Sequence, residues 1–299
     1  MTRTKALKRL LSRPQLSFLM EAHNALSAKI AEQAGFEGLW ASGLSVSASM
    51  GLSDRNEASW TQVLDVVEMM ADHVQVPVLM DGDTGFGNFN NVRRLVKKCQ
   101  QKGIAGICLE DKIFPKLNSF IGDNQELADI TEFSGKIRAA KDSQTDPDFC
   151  VIARTEALIA GRGMREALIR AERFHNAGAD AVLIHSKKSD GQEILDFCKA
   201  WGNGCPVVIV PTKYYERPTQ DFREAGVSTI IWANHSLRAS ITAMRHVMRL
   251  IRSEESIAPV ERTIASLDDV FSLTNEYEVQ QAEANYLGGG PEPGAVQSV

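Results

Sequence analysis

Gly103-Ile104-Ala105-Gly106-Ile107-Cys108-Leu109-Glu110-Asp111-Lys112 is the stretch whose reading decides the fold. Residues 104–109 are apolar without a break, then two carboxylates and a lysine follow at once. Upstream, residues 89–102 have helical spacing and stop at Gly103, the residue type that most readily ends a helix. A continuous apolar run between a helix end and a polar loop is the pattern of a parallel strand buried on both faces. The acids then stand at the strand's C-terminal end.

The same unit recurs in both directions. Apolar strand runs are expected at 17–22, 37–42, 77–82, 104–109, 149–154, 180–185, 206–211 and 227–233. Helices are expected between or after them at 25–34, 60–74, 89–102, 130–140, 164–177, 193–201, 220–225 and 237–252, with a long polar loop over 43–59. Glycine at the junction of helix and strand returns at Gly35, Gly103, Gly178 and Gly226. Alternation of this length favours an α/β fold of the (β/α)₈ TIM-barrel type over an open doubly wound sheet. The barrel is expected to occupy residues 1–256. Thr2 to Arg13 is basic, has no acids and no cleavage-like pattern, and leads straight into the first strand. It reads as a short helix covering the base of the barrel rather than a transit segment. Residues 257–287 lie outside the eight units and carry helices at 267–273 and 279–286, a C-terminal helical extension suited to subunit contacts. The Gly/Pro-rich end, 288–299, is expected to be disordered.

Composition excludes several classes. The chain has 299 residues, 43% of them hydrophobic, and a net charge of −5, so nothing points to nucleic acid. No apolar run approaches the roughly 18 residues of a membrane span. The five cysteines, Cys99, Cys108, Cys150, Cys198 and Cys205, form no CxxC pair. An odd count with no framework favours a reducing, cytoplasmic compartment.

Barrels of this type build their sites at the C-terminal strand ends. There the sequence places Ser42 and Gly43, Asp81 and Asp83, Glu110 and Asp111, Arg154 and Glu156, His185, Thr212 and Lys213, and Asn234 and His235. Asp81 and Asp83, two apart, point the same way if the backbone stays extended, and Glu110 ends the neighbouring strand. Three carboxylates at one mouth repel without a cation, and an all-oxygen set suits Mg²⁺ or Mn²⁺. The alternative, helix caps or lysine partners, stays open at each position. Ser42-Gly43-Leu44 could offer backbone donors to a carboxylate beside Trp40, or be an ordinary turn. Gly82, Gly85 and Gly87 read better as a sharp turn than as a phosphate loop. Arg154 is a fork for a phosphoryl or carboxylate group, and His185 a donor to developing anionic charge. The loop broken by Pro115 carries Lys116, Asn118 and Ser119, the makings of a lid over a charged substrate.

Asp81-Gly82-Asp83-Thr84-Gly85-Phe86-Gly87-Asn88 and Glu110-Asp111-Lys112, five residues before Asn118-Ser119, make the chain resemble the phosphoenolpyruvate mutase branch of the isocitrate lyase/phosphoenolpyruvate mutase superfamily. Lys141 to Phe149, His185-Ser186-Lys187-Lys188 and Ile231-Trp232-Ala233-Asn234-His235 extend the resemblance over about 16–287. It implies an isomerase that moves a phosphoryl group between the enolate oxygen of pyruvate and its methylene carbon, interconverting phosphoenolpyruvate and 3-phosphonopyruvate. That step forms the carbon–phosphorus bond at the start of phosphonate biosynthesis. By the same resemblance Asp81 binds Mg²⁺ directly, and Asp83 and Glu110 hold it through water. Trp40, Ser42, Gly43 and Leu44 would take the pyruvate carboxylate and enolate oxygen, and Arg154, His185 and Asn118 the phosphoryl group. Asp54 would be a transient phosphoryl acceptor or an electrostatic partner, and Lys116, Asn118 and Ser119 the gate. A homotetramer, a dimer of dimers with the C-terminal helical part swapped, is implied as well.

The nearest rival is phosphonopyruvate hydrolase, which has threonine where Asn118 stands. The carbon–carbon lyases of the superfamily need a lid cysteine, and none lies between Glu110 and Ile130. A catalytically silent scaffold would have lost its strand-end carboxylates.

Overall fold

The computed structural model describes residues 1–122, 125–202 and 204–287; the expectation for 288–299 lies outside the described residues. Eight parallel strands close in sequence order: β1 (Ser17–Ala22), β2 (Leu39–Ala41), β3 (Val78–Asp81), β4 (Gly106–Glu110), β5 (Cys150–Thr155), β6 (Ala181–Ile184), β7 (Val207–Ile209) and β8 (Thr229–Trp232). Ser17 opposite Thr229 completes the ring. The fold is a (β/α)₈ barrel.

The helices that cover it are α2 (Ala25–Gln33), α4 (Trp60–His73), α5 (Phe89–Gln101), α6 (Ile130–Ser143), α7 (Gly163–Asn176), α8 (Gln192–Trp201) and α9 (Thr219–Glu224), with α10 (His235–Glu254) following β8. A short α3 (Gly43–Ser49) precedes α4, and α1 (Arg3–Ser12) precedes the barrel. The stretch 43–59 is thus not all loop. Ser42 accepts a hydrogen bond from Ser45 N and caps about two turns of helix, as serine at an N-cap does.

Side-chain alternation along the strands explains both the core and the mouth. One inner layer consists of Leu19, Trp40, Leu79, Cys108, Ile152, Leu183, Val208 and Ile231, all buried in one cluster with Leu7, Leu10 and Leu11 of α1, which plugs that end of the barrel. The opposite faces of the strands, among them Met80, Ile107, Leu109, Val151 and Ala153, pack outward against the helices. Moving two residues on from the inner layer keeps the same direction. That step reaches Glu21, Ser42, Asp81, Glu110, Arg154, His185, Val210 and Ala233, one per strand, at the C-terminal rim. Register sets neighbours side by side, with Glu110 opposite Arg154.

By contacts the chain divides into two compact units after Ala239, within α10. The second contains the rest of α10, then α11 (Leu267–Thr274) and α12 (Glu276–Tyr286), where both helices fall in the expected extension. Neither of these last two helices has a buried residue. Among the described residues no helix is long and apolar enough to cross a membrane.

Candidate active site

At the rim, a cavity of about 60 Å³ is lined by Trp40, Ser42, Leu44, Asp54, Asp81, Glu110, Lys116, Asn118, Ser119, Arg154 and His185, joined by Leu117, Phe120, Val210, Thr212, Ala233 and Asn234. Gly43 and Asp83 stand just behind. Every site residue expected from the sequence is therefore at one place.

The carboxylates meet differently from the sequence expectation. Asp83 has φ +49°, so the backbone from Asp81 to Asp83 is not extended; it turns, with Gly85 N donating to Gly82 O. Gly85 itself has φ +86°, and a Cβ there would lie 2.3 Å from Val92 Cγ2, which explains glycine in this turn. The turn still brings the acids together. Gly43 N donates to Asp81 Oδ2 at 3.2 Å, and a Cβ on Gly43 would stand 3.1 Å from both Asp81 Oδ2 and Asp83 Oδ1. Only glycine lets the β2 turn approach two carboxylates so closely.

The lid covers these acids. Lys116 Nζ lies 2.5 Å from Asp83 Oδ1 and 2.8 Å from Asp54 Oδ1, while Asn118 Nδ2 donates to Asp54 Oδ2 at 2.7 Å. Asp54 thus anchors two lid side chains, one on each oxygen. Burial, with Asp81, Asp54 and Glu110 nearby, pushes the Asp83 carboxyl up to about 8 against the pull of Lys116. Burial also raises Glu110, against the pull of Arg154. Burial opposes charge on Lys116 too, but the surrounding carboxylates hold its ammonium far more strongly. Lys116 meets Asp83 and Arg154 Nε stands 3.3 Å from Glu110 Oε2, yet burial outweighs both cations at these two acids.

Asp81, Asp83 and Glu110 suit a hard divalent cation. Their donors are all carboxylate oxygens, and Glu110 Oε1 is buried without a hydrogen-bond partner among the described residues. Among the described residues, no three His, Cys, Asp or Glu side chains gather tightly enough to cage an ion directly.

Opposite the acids stands a second cluster. Arg154 Nε donates to Glu156 Oε1 at 2.5 Å, and Arg154 Nη2 donates to Ser119 Oγ at 3.0 Å. His185 Nδ1 lies 2.9 Å from Arg154 Nη2 and 2.9 Å from Glu156 Oε1. Burial depresses the His185 pKa, Glu156 pulls it up and Arg154 pushes it down, with a net fall, so the ring is neutral near pH 7. Nδ1 faces both a donor-only guanidinium and an acceptor-only carboxylate, so the neutral ring's single proton sits on Nδ1 when it pairs with Glu156 and on Nε2 when Arg154 donates to it. Nε2 is buried and has no partner among the described residues. Phe120 packs edge-on against the ring at 5.2 Å between centroids, and Lys213 Nζ sits 4.9 Å from the Phe120 centroid.

Four residues that had no assigned role prove to build the site. Asn56 donates to Asp83 Oδ2 and accepts from Lys116 N, both at 2.7 Å, joining an acid to the lid backbone. Asp111 accepts from Glu156 N, Thr155 Oγ1 and Arg170 Nη1, fixing the end of β5. Lys112 donates to Leu117 O and Ser119 Oγ, bending the lid inward. Glu156 is the partner common to Arg154, His185 and Ser119. The sequence already places Asp111 and Glu156 at their strand ends, though without a role; nothing local marks Asn56.

A model of the phosphoenolpyruvate phosphomutase family matches residues 7–252. The chain belongs to that family. The phosphoenolpyruvate phosphomutase of Tetrahymena pyriformis is 56% identical over 286 residues, 95% of each chain. The solved phosphoenolpyruvate phosphomutase of Streptomyces platensis subsp. rosaceus superposes with a TM-score of 0.93 at 46% identity, covering 95% of this chain and 99% of that one. A phosphonopyruvate hydrolase crystallised with oxalate and Mg⁺⁺ is more distant, at 42% identity and TM-score 0.91, covering 96% of this chain and 100% of that one. As in other phosphomutase-family chains, the chemistry is that of an isomerase.

Proposed function

We propose that this chamber interconverts phosphoenolpyruvate and 3-phosphonopyruvate by moving a phosphoryl group within one bound molecule, between the enolate oxygen and the methylene carbon. The observation that carries the reading is the lid asparagine. Asn118 reaches over the cavity to Asp54, on the same rim as Arg154 and His185. By the family resemblance, the hydrolase branch would carry threonine there.

Each residue's part follows from its chemistry. Trp40, Ser42, Gly43 and Leu44 hold the pyruvate carboxylate and enolate oxygen. Arg154, His185 and Asn118 surround the phosphoryl oxygens. Phosphoryl transfer through a loose transition state needs such positioning and charge more than covalent help. Asp54 acts as an electrostatic partner, because both its oxygens already hold the lid. Lys116, Asn118 and Ser119 close over the substrate and exclude water, which would otherwise capture the migrating group. Asp81 would hold Mg²⁺ directly and Asp83 and Glu110 through water, and the ion would supply positive charge against the enolate and carboxylate oxygens. The hydrolase complex with Mg⁺⁺ supports that choice of ion.

In this reading the product feeds phosphonate synthesis. A reducing cytoplasm suits five free, buried cysteines. The extension over 257–287, exposing Leu267, Phe271, Tyr277 and Tyr286, supplies the contacts of a homotetramer with swapped C-terminal helices.

Phosphorus NMR of the protein with phosphonopyruvate and Mg²⁺ tests the proposal. A phosphoenolpyruvate signal is expected. Inorganic phosphate with pyruvate would instead make it a hydrolase, the second reading that the 42% relative keeps in view.

A further inference from the structure

We propose that Glu156 is a positioning residue that couples closure of the lid to the placement of Arg154 and His185. The inference rests on the phosphoryl-transfer reading above and assigns a device within that site. Glu156 is fully buried and does not line the cavity. Its two oxygens divide their partners by origin. Oε1 takes the barrel wall: Arg154 Nε at 2.5 Å, with His185 Nδ1 at 2.9 Å. Oε2 takes the lid: Ser119 Oγ donates at 2.6 Å, and Lys112 Nζ stands 3.4 Å away.

Ser119 makes the coupling tight. Its hydroxyl donates to Glu156 and accepts from both Arg154 Nη2 and Lys112 Nζ, so its donor and both lone pairs are used. Ser119 therefore reaches this arrangement only when the lid is down. Once it is down, the carboxylate cannot rotate without breaking a bond on one side or the other. The backbone beneath is fixed as well, since Glu156 N donates to Asp111 Oδ1 at 2.8 Å and Asp111 is held by Arg170. A carboxylate that only neutralised Arg154 would have no need of a lid hydroxyl on its second oxygen, with a lysine ammonium 3.4 Å away.

Glu156→Gln tests this in the full chain, because the amide cannot accept on both sides. Turnover of phosphonopyruvate is expected to fall about 10²-fold, the cost of misplacing groups around a reacting centre by an ångström or so. Amide hydrogen exchange across 112–121 is expected to rise in the same variant. Ser119→Ala should raise that exchange too, and adding Ser119→Ala to Glu156→Gln should cost little more than Glu156→Gln alone. Multiplying losses, or a lid as protected as in the wild type, would overturn the proposal. A residue needed only for folding would lower the melting temperature without changing lid exchange in the folded protein. If Glu156→Gln fails to fold, Ser119→Ala decides alone: unchanged lid exchange and turnover would overturn the coupling. Hydrogen exchange needs no turnover, so a wild type that forms no phosphoenolpyruvate would sink the functional reading and leave the lid result standing.

Discussion

Asp54 and Asn118 show how single side chains carry this site. Asp54 balances a lysine on one oxygen and an asparagine on the other, across a chamber rich in carboxylates. Replacing Asn118 with alanine removes one anchor of the lid, its bond to Asp54, and the donor that the proposed function sets against the migrating group. Turnover of Asn118→Ala is expected to fall on the order of 10²–10³-fold, as for other lost transition-state donors; steady-state kinetics showing a near-native rate would take the residue out of the mechanism. At this scale much could be read in advance. Ser42, Asp81, Glu110, Arg154 and His185 each stand two positions beyond an inner core residue, so strand alternation alone aims them at the mouth. Asp83 and Asn56 could not be read so. Both have positive φ, +49° and +59°, and a turn's geometry is set by what surrounds it rather than by a period. Asp54 lies in a loop without pattern, and only the family resemblance singled it out.

Elements bring those side chains to their places, and two of them make the point measurable. Glu21, at the end of β1, is fully buried and accepts from Ser236 N at 3.0 Å and Leu237 N at 3.2 Å, so a strand carboxylate closes the N-terminus of α10. Burial alone would raise its pKa, but bonds from His23 and Ser236 outweigh burial and hold it below the usual 4.5. A group depressed in the folded state adds stability above its unfolded pKa and loses it as pH falls through the folded value. Glu21→Gln should therefore cost about 1–2 kcal/mol near neutral pH, the range of a lost helix cap. The gap between variant and wild type should narrow in denaturant titrations as pH falls below the usual 4.5 and through the lower folded value; a gap that persists unchanged in acid would count against the assignment. Elsewhere Phe174 of α7 meets Phe133 of α6 edge-on at 4.7 Å, both fully buried. Phe174→Ala is expected to lose about 3–5 kcal/mol, read from the denaturation midpoint, with little change in the lid. Long periodic helices such as α5 were plain in the sequence. The seven-residue, serine-rich α3 was not, because it is too short for a period and its composition is that of a loop.

For the whole molecule, the barrel explains why distant segments of chain meet at one rim. The α1 plug closes the end away from the site, and the lid closes the other. The helices after Ala239 obey another rule. Met244 and Met248 of α10 are exposed, as are Leu267, Phe271 and Tyr277, more apolar surface than one subunit can use alone. Their pattern was legible as helix; what covers their exposed apolar side chains is a matter for the proposed assembly, which the sequence pattern of one chain does not display. Light scattering coupled to gel filtration should give a tetramer's mass, and a chain ending at residue 256 should give a smaller species. A full-length monomer would remove the subunit-contact role of 257–287. The central claim is that the phosphoryl group never leaves the molecule that brought it. Phosphonopyruvate labelled with ¹⁸O on phosphorus and ¹³C in its carbon skeleton, mixed with unlabelled substrate, tests this by mass spectrometry of the phosphoenolpyruvate formed. The account predicts product carrying both labels or neither; product carrying one label without the other would contradict it.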